Sequence, residues 1–173
     1  MGYHGIWLGE QAEVTNVRVR WNRLSGIYAD SGSTISGNKA YQNGDDGIHT
    51  NFGSTVSGNT VYVNGGDGIY ASFGSTVSDN TAHGNGDDGI YVGYGSTVSD
   101  NTAYGNGDDG IYVGSGSTVS GNTVRGNTGY GLRFTGTDAA YSGNVISGNT
   151  AGTITGSAVQ LGQNACNGNT TCP

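Results

Sequence analysis

The chain has 173 residues, of which 35 are Gly and one is Pro, with 33% hydrophobic and 11% charged positions. The Gly residues keep no three-residue period, which excludes a collagen-like chain, and the abundance of Gly, Ser, Thr and Asn argues against a helical bundle, because all four are poor in helix interiors. A net charge of −7, with six Lys and Arg in all, excludes the basic stripe that nucleic-acid binding needs, and no run approaches the ~18 apolar residues of a membrane span.

Met1-Gly2-Tyr3-His4 leads straight into patterned sequence, so no secretory leader is expected there. The expected object is a mature fragment with an added Met, or a piece of a longer chain. From Gly5 onward a Gly-Ile dipeptide recurs at Gly26, Gly47, Gly68, Gly89 and Gly110, and returns as Gly-Leu at Gly131. Every interval is 21 residues, and a fixed period of that size marks a solenoid. Residues 68–88 and 89–109 differ only at Ala71/Val92, Ser72/Gly93, Phe73/Tyr94 and His83/Tyr104. After Gly131 one residue is inserted, and the pattern fades through Ile154, Val159 and Leu161.

Each repeat holds three short alternating segments, typified by Ile90-Tyr91-Val92, Ser96 to Ser99, and Thr102 to Tyr104. Alternation predicts strands with one side inward. Ile90, Val92, Val98 and Ala103 are expected inside, and Tyr91, Thr97, Ser99, Thr102 and Tyr104 outside. Gly-rich and Asn/Asp-rich links supply the turns. Three strands and three turns in 21 residues make one triangular coil, and each strand pairs with its copy in the next coil, ~4.8 Å away. The expected fold is all-β: a single-stranded parallel β-helix over residues 5–161, of about seven coils and three parallel sheets. Two Asn columns support it. One is Asn38, Asn59, Asn80, Asn101, Asn122 and Asn144; the other is Asn43, Asn64, Asn85, Asn106, Asn127 and Asn149. An inward Asn carries donors and acceptors together, so it can pass hydrogen bonds to its own copy. An ionised Asp has only acceptors and is not expected to form such a ladder.

The two ends are less regular. Residues 14–21 replace the Ser/Thr pattern with Val14, Val17, Val19 and Trp21 around Arg18 and Arg20. Charges there discourage edge pairing without covering the edge, so the first coil is expected to meet a second chain or an upstream segment. Residues 162–173 form a tail holding Cys166 and Cys172. A disulfide closing a short loop in an oxidising compartment is the expected reading. A two-Cys zinc site is the alternative; it would need two further ligands, and no His lies nearby.

The segment GIYVGYGSTVSDNTAYGNGDDGI resembles the repeat of right-handed parallel β-helix proteins of the pectate-lyase-like superfamily, and in particular the bacterial parallel β-helix repeat proteins. The ending from Asn164 to Pro173 resembles the short Cys-Pro tails of secreted bacterial members. The resemblance implies a right-handed coil and an extracellular or cell-surface location. It leaves activity open, since members include lyases, hydrolases, epimerases and non-enzymes.

Several columns carry candidate chemistry. Asp45-Asp46, Asp87-Asp88 and Asp108-Asp109 each precede Gly-Ile. Gly-Asp-Asp-Gly-Ile resembles the Gly-Asp-Asp motif of polygalacturonases, whose carboxylates act as general acid and base. Here the pair occurs three times, without the neighbouring basic groups of that family, and a polar turn at each corner is the favoured reading. No cofactor is expected. Calcium is the one candidate, on the column Asp46, Asp67, Asp88 and Asp109. Arg125 and Arg133 stand where other coils carry aromatics, and His49 and His83 stand in the same exposed columns, alone. The expected binding surface is the outward Tyr columns, Tyr70, Tyr91 and Tyr112 with Tyr62 and Tyr104, together with the Thr column Thr55, Thr76, Thr97 and Thr118. Aromatic faces can stack on sugars. The Thr-Val-Ser array also resembles the flat Thr arrays of ice-binding β-helices. Near-identical coils lack the distinct residues in distinct roles that catalysis needs. The expected function is therefore a non-catalytic scaffold binding a polysaccharide or other cell-surface polymer. The alternatives are a fragment of a polysaccharide lyase, hydrolase or epimerase, and an ice-binding protein.

Overall fold

Alternating segments bounded by turn residues settle into strands of three residues. In the best-preserved repeat these are Ile90–Val92, Thr97–Ser99 and Thr102–Tyr104. The computed structural model describes residues 3–168 and 172. Its strands form three eight-stranded parallel sheets in which each strand pairs with its counterparts one repeat earlier and later. Register is like on like: Ile69 pairs with Ile90, Val77 with Val98, and Ala82 with Ala103.

Ile90, Val92, Val98 and Ala103 are fully buried, as the alternation predicts, and their copies in other coils line the same narrow core. The Gly before each Ile sits at a corner with no room for a side chain. A Cβ on Gly89 would lie 2.6 Å from the Asn106 amide nitrogen and 2.6 Å from the Gly110 carbonyl. This close approach accounts for the regularity of the Gly-Ile mark.

There are eight coils, where the sequence pattern suggests about seven. The eighth consists of Gly152–Thr155, Ala158–Gln160 and Ala165–Cys166. It follows a spacing of 22 residues between Asn122 and Asn144 and one of 20 between Asn144 and Asn164, so the fixed period misses it. The third sheet therefore runs on into the segment after residue 161, where Ala165 and Cys166 pair with Val145 and Ile146. Cys166 and Cys172 are joined by a disulfide with Cα atoms 5.2 Å apart, and Cys172 packs against the end of the core. The rest of the expected tail loop, 169–171, and residue 173 lie outside the described residues. At the other end Trp7 and Trp21 are exposed, with the Arg20 guanidinium 4.0 Å over the Trp21 ring.

Both Asn columns form buried ladders. Asn80 accepts at Oδ1 from the Asn59 backbone N–H and the Asn59 amide, each at 2.9 Å. Its own amide donates to the Val56 carbonyl at 2.9 Å and to Asn101 Oδ1 at 3.0 Å. Each column has one member more than those named from the sequence, Asn164 in the first and Asn22, on the 21-residue period, in the second. A third ladder links Ser33, Ser54, Ser75, Ser96 and Ser117 through backbone N–H to hydroxyl bonds. One inward position breaks the order: Thr50 is fully buried where other coils carry Ala29, Ala71 and Val92, and its hydroxyl has no partner.

Two substitutions test this interior in opposite directions. Asn80→Leu takes away the acceptor of the Asn59 backbone N–H and of one Asn59 amide N–H, and is expected to cost about 3 kcal/mol, since each buried orphan costs roughly 1–3 kcal/mol. Thr50→Val removes an unpaired hydroxyl at nearly constant shape and is expected to stabilise by about 1 kcal/mol. Urea unfolding of both variants measures the two signs; equal or inverted effects would refute this account of the core.

Candidate functional site

The first sheet carries outward the column Tyr28, His49, Tyr70, Tyr91 and Tyr112, placed there by the Ile-x-Ala/Val alternation. Successive rings stack with centroids 4.4–5.0 Å apart and nearly parallel planes. The third sheet carries Tyr41, Tyr62, His83 and Tyr104 in the same manner, at 4.7–5.0 Å. Tyr41 is buried rather than outward and open, because Tyr62 covers one side and Arg20 donates to its hydroxyl at 3.2 Å. Rings within each column cover one another's faces. What they offer to the outside is ring edges and hydroxyls, so a sugar would meet a row of Tyr hydroxyls and not an open aromatic face. Thr55, Thr76, Thr97 and Thr118 form an exposed row on the second sheet, paired in register.

Beside the first Tyr column runs Asp46, Asp67, Asp88 and Asp109, all buried. These Asp do form a ladder, although not side chain to side chain. Each Oδ1 accepts a backbone N–H from the next coil: Asp67 to Asp46 and Asp88 to Asp67 at 2.9 Å, Asp109 to Asp88 at 2.8 Å, and Tyr130 to Asp109 at 2.6 Å. Backbone donors replace the amide donors that a carboxylate lacks. The expectation that Asp could not ladder overlooked that source.

The two ends of this column have side-chain partners and the two middle members have none among the described residues. Asp46 Oδ2 meets His49 Nδ1 at 2.9 Å, and Asp109 meets the Arg133 guanidinium. His49 is therefore not alone: it is paired with a carboxylate and held between the rings of Tyr28 and Tyr70. Arg125, in contrast, lies 5.2 Å over the Tyr104 ring. Asp67 is pushed up to about 8 by burial, then by the charges of Asp46, Asp88 and Asp87. Asp88 is pushed up to about 7, mainly by burial, with the Asp109 backbone N–H pulling the other way. The same surroundings raise Tyr70 and Tyr91, through burial first and nearby negative charge second.

Carboxylate oxygens converge within 4.8 Å in two groups, Asp67 with Asp87 and Asp88, and Asp88 with Asp108 and Asp109. The second group already has Arg133 as its counter-ion. The first is the one whose free oxygens could take a hard cation such as calcium, which prefers six to eight oxygen ligands. The sequence reading placed calcium on the stacked column alone; the geometry adds Asp87 from the adjacent turn.

A third aromatic row lies outside the columns that the strand pattern marks. Phe52, Phe73 and Tyr94 stand exposed at the corner between the first and second sheets, with centroids 6.0 and 4.5 Å apart. The signal was there at the 21-residue spacing, but within a variable stretch that reads as a turn.

Residues 4–151 match the family described as the right handed beta helix region, and the chain belongs to that family. Its fold is similar to the A-module of the Azotobacter vinelandii mannuronan C-5 epimerase AlgE6, with 21% identity over 90% of this chain and 52% of the other, at a TM-score of 0.77. It is also similar to the periplasmic alginate epimerase AlgG, with 20% identity over 93% and 47% at 0.75, and to XylC in complex with xylose, with 16% identity over 91% and 32% at 0.70. The chain thus spans about half the length of the epimerase structures or less. No curated protein sequence matches it.

The raised Asp pair predicts a pH-dependent stability of definite sign. An unfolded chain releases these protons near 3.8, whereas the folded chain holds them to about 7 and 8. Between those values the native state binds more protons than the unfolded state, so stability falls as pH rises. The loss begins near pH 4 and is complete above pH 8. Denaturant midpoints measured at pH 5 and pH 8.5 should be higher at pH 5. The difference should shrink in Asp67→Asn/Asp88→Asn, and an unchanged difference would refute the assignment.

Proposed function

We propose that the chain is a non-catalytic β-helix, secreted or cell-surface, that holds a polysaccharide along its length. The observation that carries this reading is the in-register repetition of the same outward groups over several coils, in the Tyr70–Tyr91–Tyr112 row and the Thr55–Thr76–Thr97–Thr118 row. A polymer with a repeating unit can meet such a surface repeatedly, and many weak contacts then add. Tyr62 and Tyr104 belong to a parallel row on the third sheet. The polysaccharide-related names of the similar structures support the class of ligand, and the Cys166–Cys172 bond fits an oxidising location. Among the described residues no helix is long and apolar enough to cross a membrane. Among the described residues, the outer edges of Ile6–Leu8, Glu13–Thr15 and Arg18–Arg20 each lack a strand neighbour, and we extend the proposal to a second copy or an upstream coil pairing there.

A second reading, a portion of a polysaccharide-active enzyme, has one specific observation in its favour. Asp46–His49 between two Tyr rings, and Arg133 on Asp109, put acid–base groups where the repeat is broken. Glycan-array binding and turnover assays on alginate and polygalacturonate, with and without calcium, separate the two. Binding without turnover is expected. Turnover that disappears in His49→Ala or Arg133→Ala would replace the scaffold reading with the enzymatic one, and absence of both binding and turnover would remove both.

A further inference from the structure

The corner row offers what the Tyr columns lack. Phe73 is covered by Phe52 on one side and Tyr94 on the other. Phe52 ends the row, because the preceding coil places Ser31 at the equivalent corner. The Gly that follows each aromatic lies in the left-handed region, Gly53 at φ 67°. That turn throws the ring outward, and Phe52 is 55% exposed.

Beneath its open side lies a depression of about 320 Å³, lined by Glu10, Gln11, Ser31, Gly32, Phe52 and Gly53. That size sits at the lower end of the roughly 300–1,000 Å³ typical of small-ligand sites. Its chemistry is an aromatic wall, a carboxylate that accepts, an amide that donates and accepts, and a hydroxyl that does both. The two Gly leave the floor bare. No cation lines it, so an anionic ligand would face Glu10 uncompensated.

We propose that this pocket takes one ring of an uncharged pyranose polymer, with the C–H face of the sugar on Phe52 and its hydroxyls on Glu10, Gln11 and Ser31. The inference rests on the polysaccharide reading and deepens it: the pocket selects uncharged sugars over uronates. The Tyr and Thr rows serve the flanking length of the polymer, and the Phe52 corner supplies a stacking contact set beside polar side chains.

Affinity electrophoresis of the full chain in gels containing galactomannan, hydroxyethyl cellulose or alginate tests this. Retardation is expected in at least one uncharged polymer and not in alginate. Phe52→Ala is expected to weaken it by about tenfold, the loss of a single aromatic contact, and Phe52→Trp to retain it. Thermal unfolding of Phe52→Ala should match the parent, since the ring is exposed, and Phe52→Trp tests the same wall should the Ala variant fail to fold. Retardation by uncharged polymers that is unchanged in Phe52→Ala overturns the pocket and leaves the polysaccharide reading standing. Retardation by alginate alone overturns the selectivity. Retardation by none of the three, with none on the glycan array, overturns both.

Discussion

Every side chain in this protein has to live beside its own copy. A parallel coil repeats each position at ~4.8 Å, so a residue type is admissible only if it tolerates, or gains from, contact with itself. Aliphatic side chains meet that condition in the core, where Ile27, Ile48, Ile69, Ile90 and Ile111 form one buried column. Asn meets it at the corners, because an amide is complementary to a second amide. Gly meets it where the Asn amide of the next column leaves no space for a Cβ.

Aromatic and charged columns satisfy the same condition with consequences for function. Tyr and His stack, which stabilises the sheet surface but consumes ring faces. The outward columns therefore present hydroxyls at a regular pitch, and stacking sites survive only where a column stops. Carboxylates fail the condition outright: two unit charges ~5 Å apart repel by roughly 0.8 kcal/mol in water and several times more at a partly buried site. The Asp column endures through three devices. Backbone N–H groups occupy each Oδ1, His49 and Arg133 close the two ends, and the two central members keep their protons to near-neutral pH.

Self-contact also explains which parts of the molecule the sequence discloses. The period of 21, the three strands, the Asn ladders and the inward set of Ile90, Val92, Val98 and Ala103 are all legible, because each is a property of one repeat copied many times. The eighth coil was obscured by compensating changes of one residue in spacing, which alter the period and leave the corner Asn164 in place. Asp46–His49 and Arg133–Asp109 were hidden for a different reason. They join residues whose roles differ from those of their copies, and a periodic reading averages such residues away. Phe52, Phe73 and Tyr94 went unread because a corner after the strand Ile48–Thr50 reads as turn, although its Gly53 was the clue that the preceding side chain must point outward.

For the proposed polymer ligand, departures from the repeat are the places where selectivity would reside. A uniform stretch offers any extended polymer many equivalent registers, and the polymer can slide from one to the next at no cost. Sliding stops only at a feature that occurs once. Such features on or beside one sheet include the His49 carboxylate pair, the Arg133 ion pair near the other end, and the bare side of Phe52 above Glu10 and Gln11. The first two close the ends of an acidic column and already have partners. The Phe52 corner combines an uncovered aromatic face with the polar side chains of Glu10, Gln11 and Ser31. In the proposed complex, repetition would supply length of contact, and this interruption would supply its register.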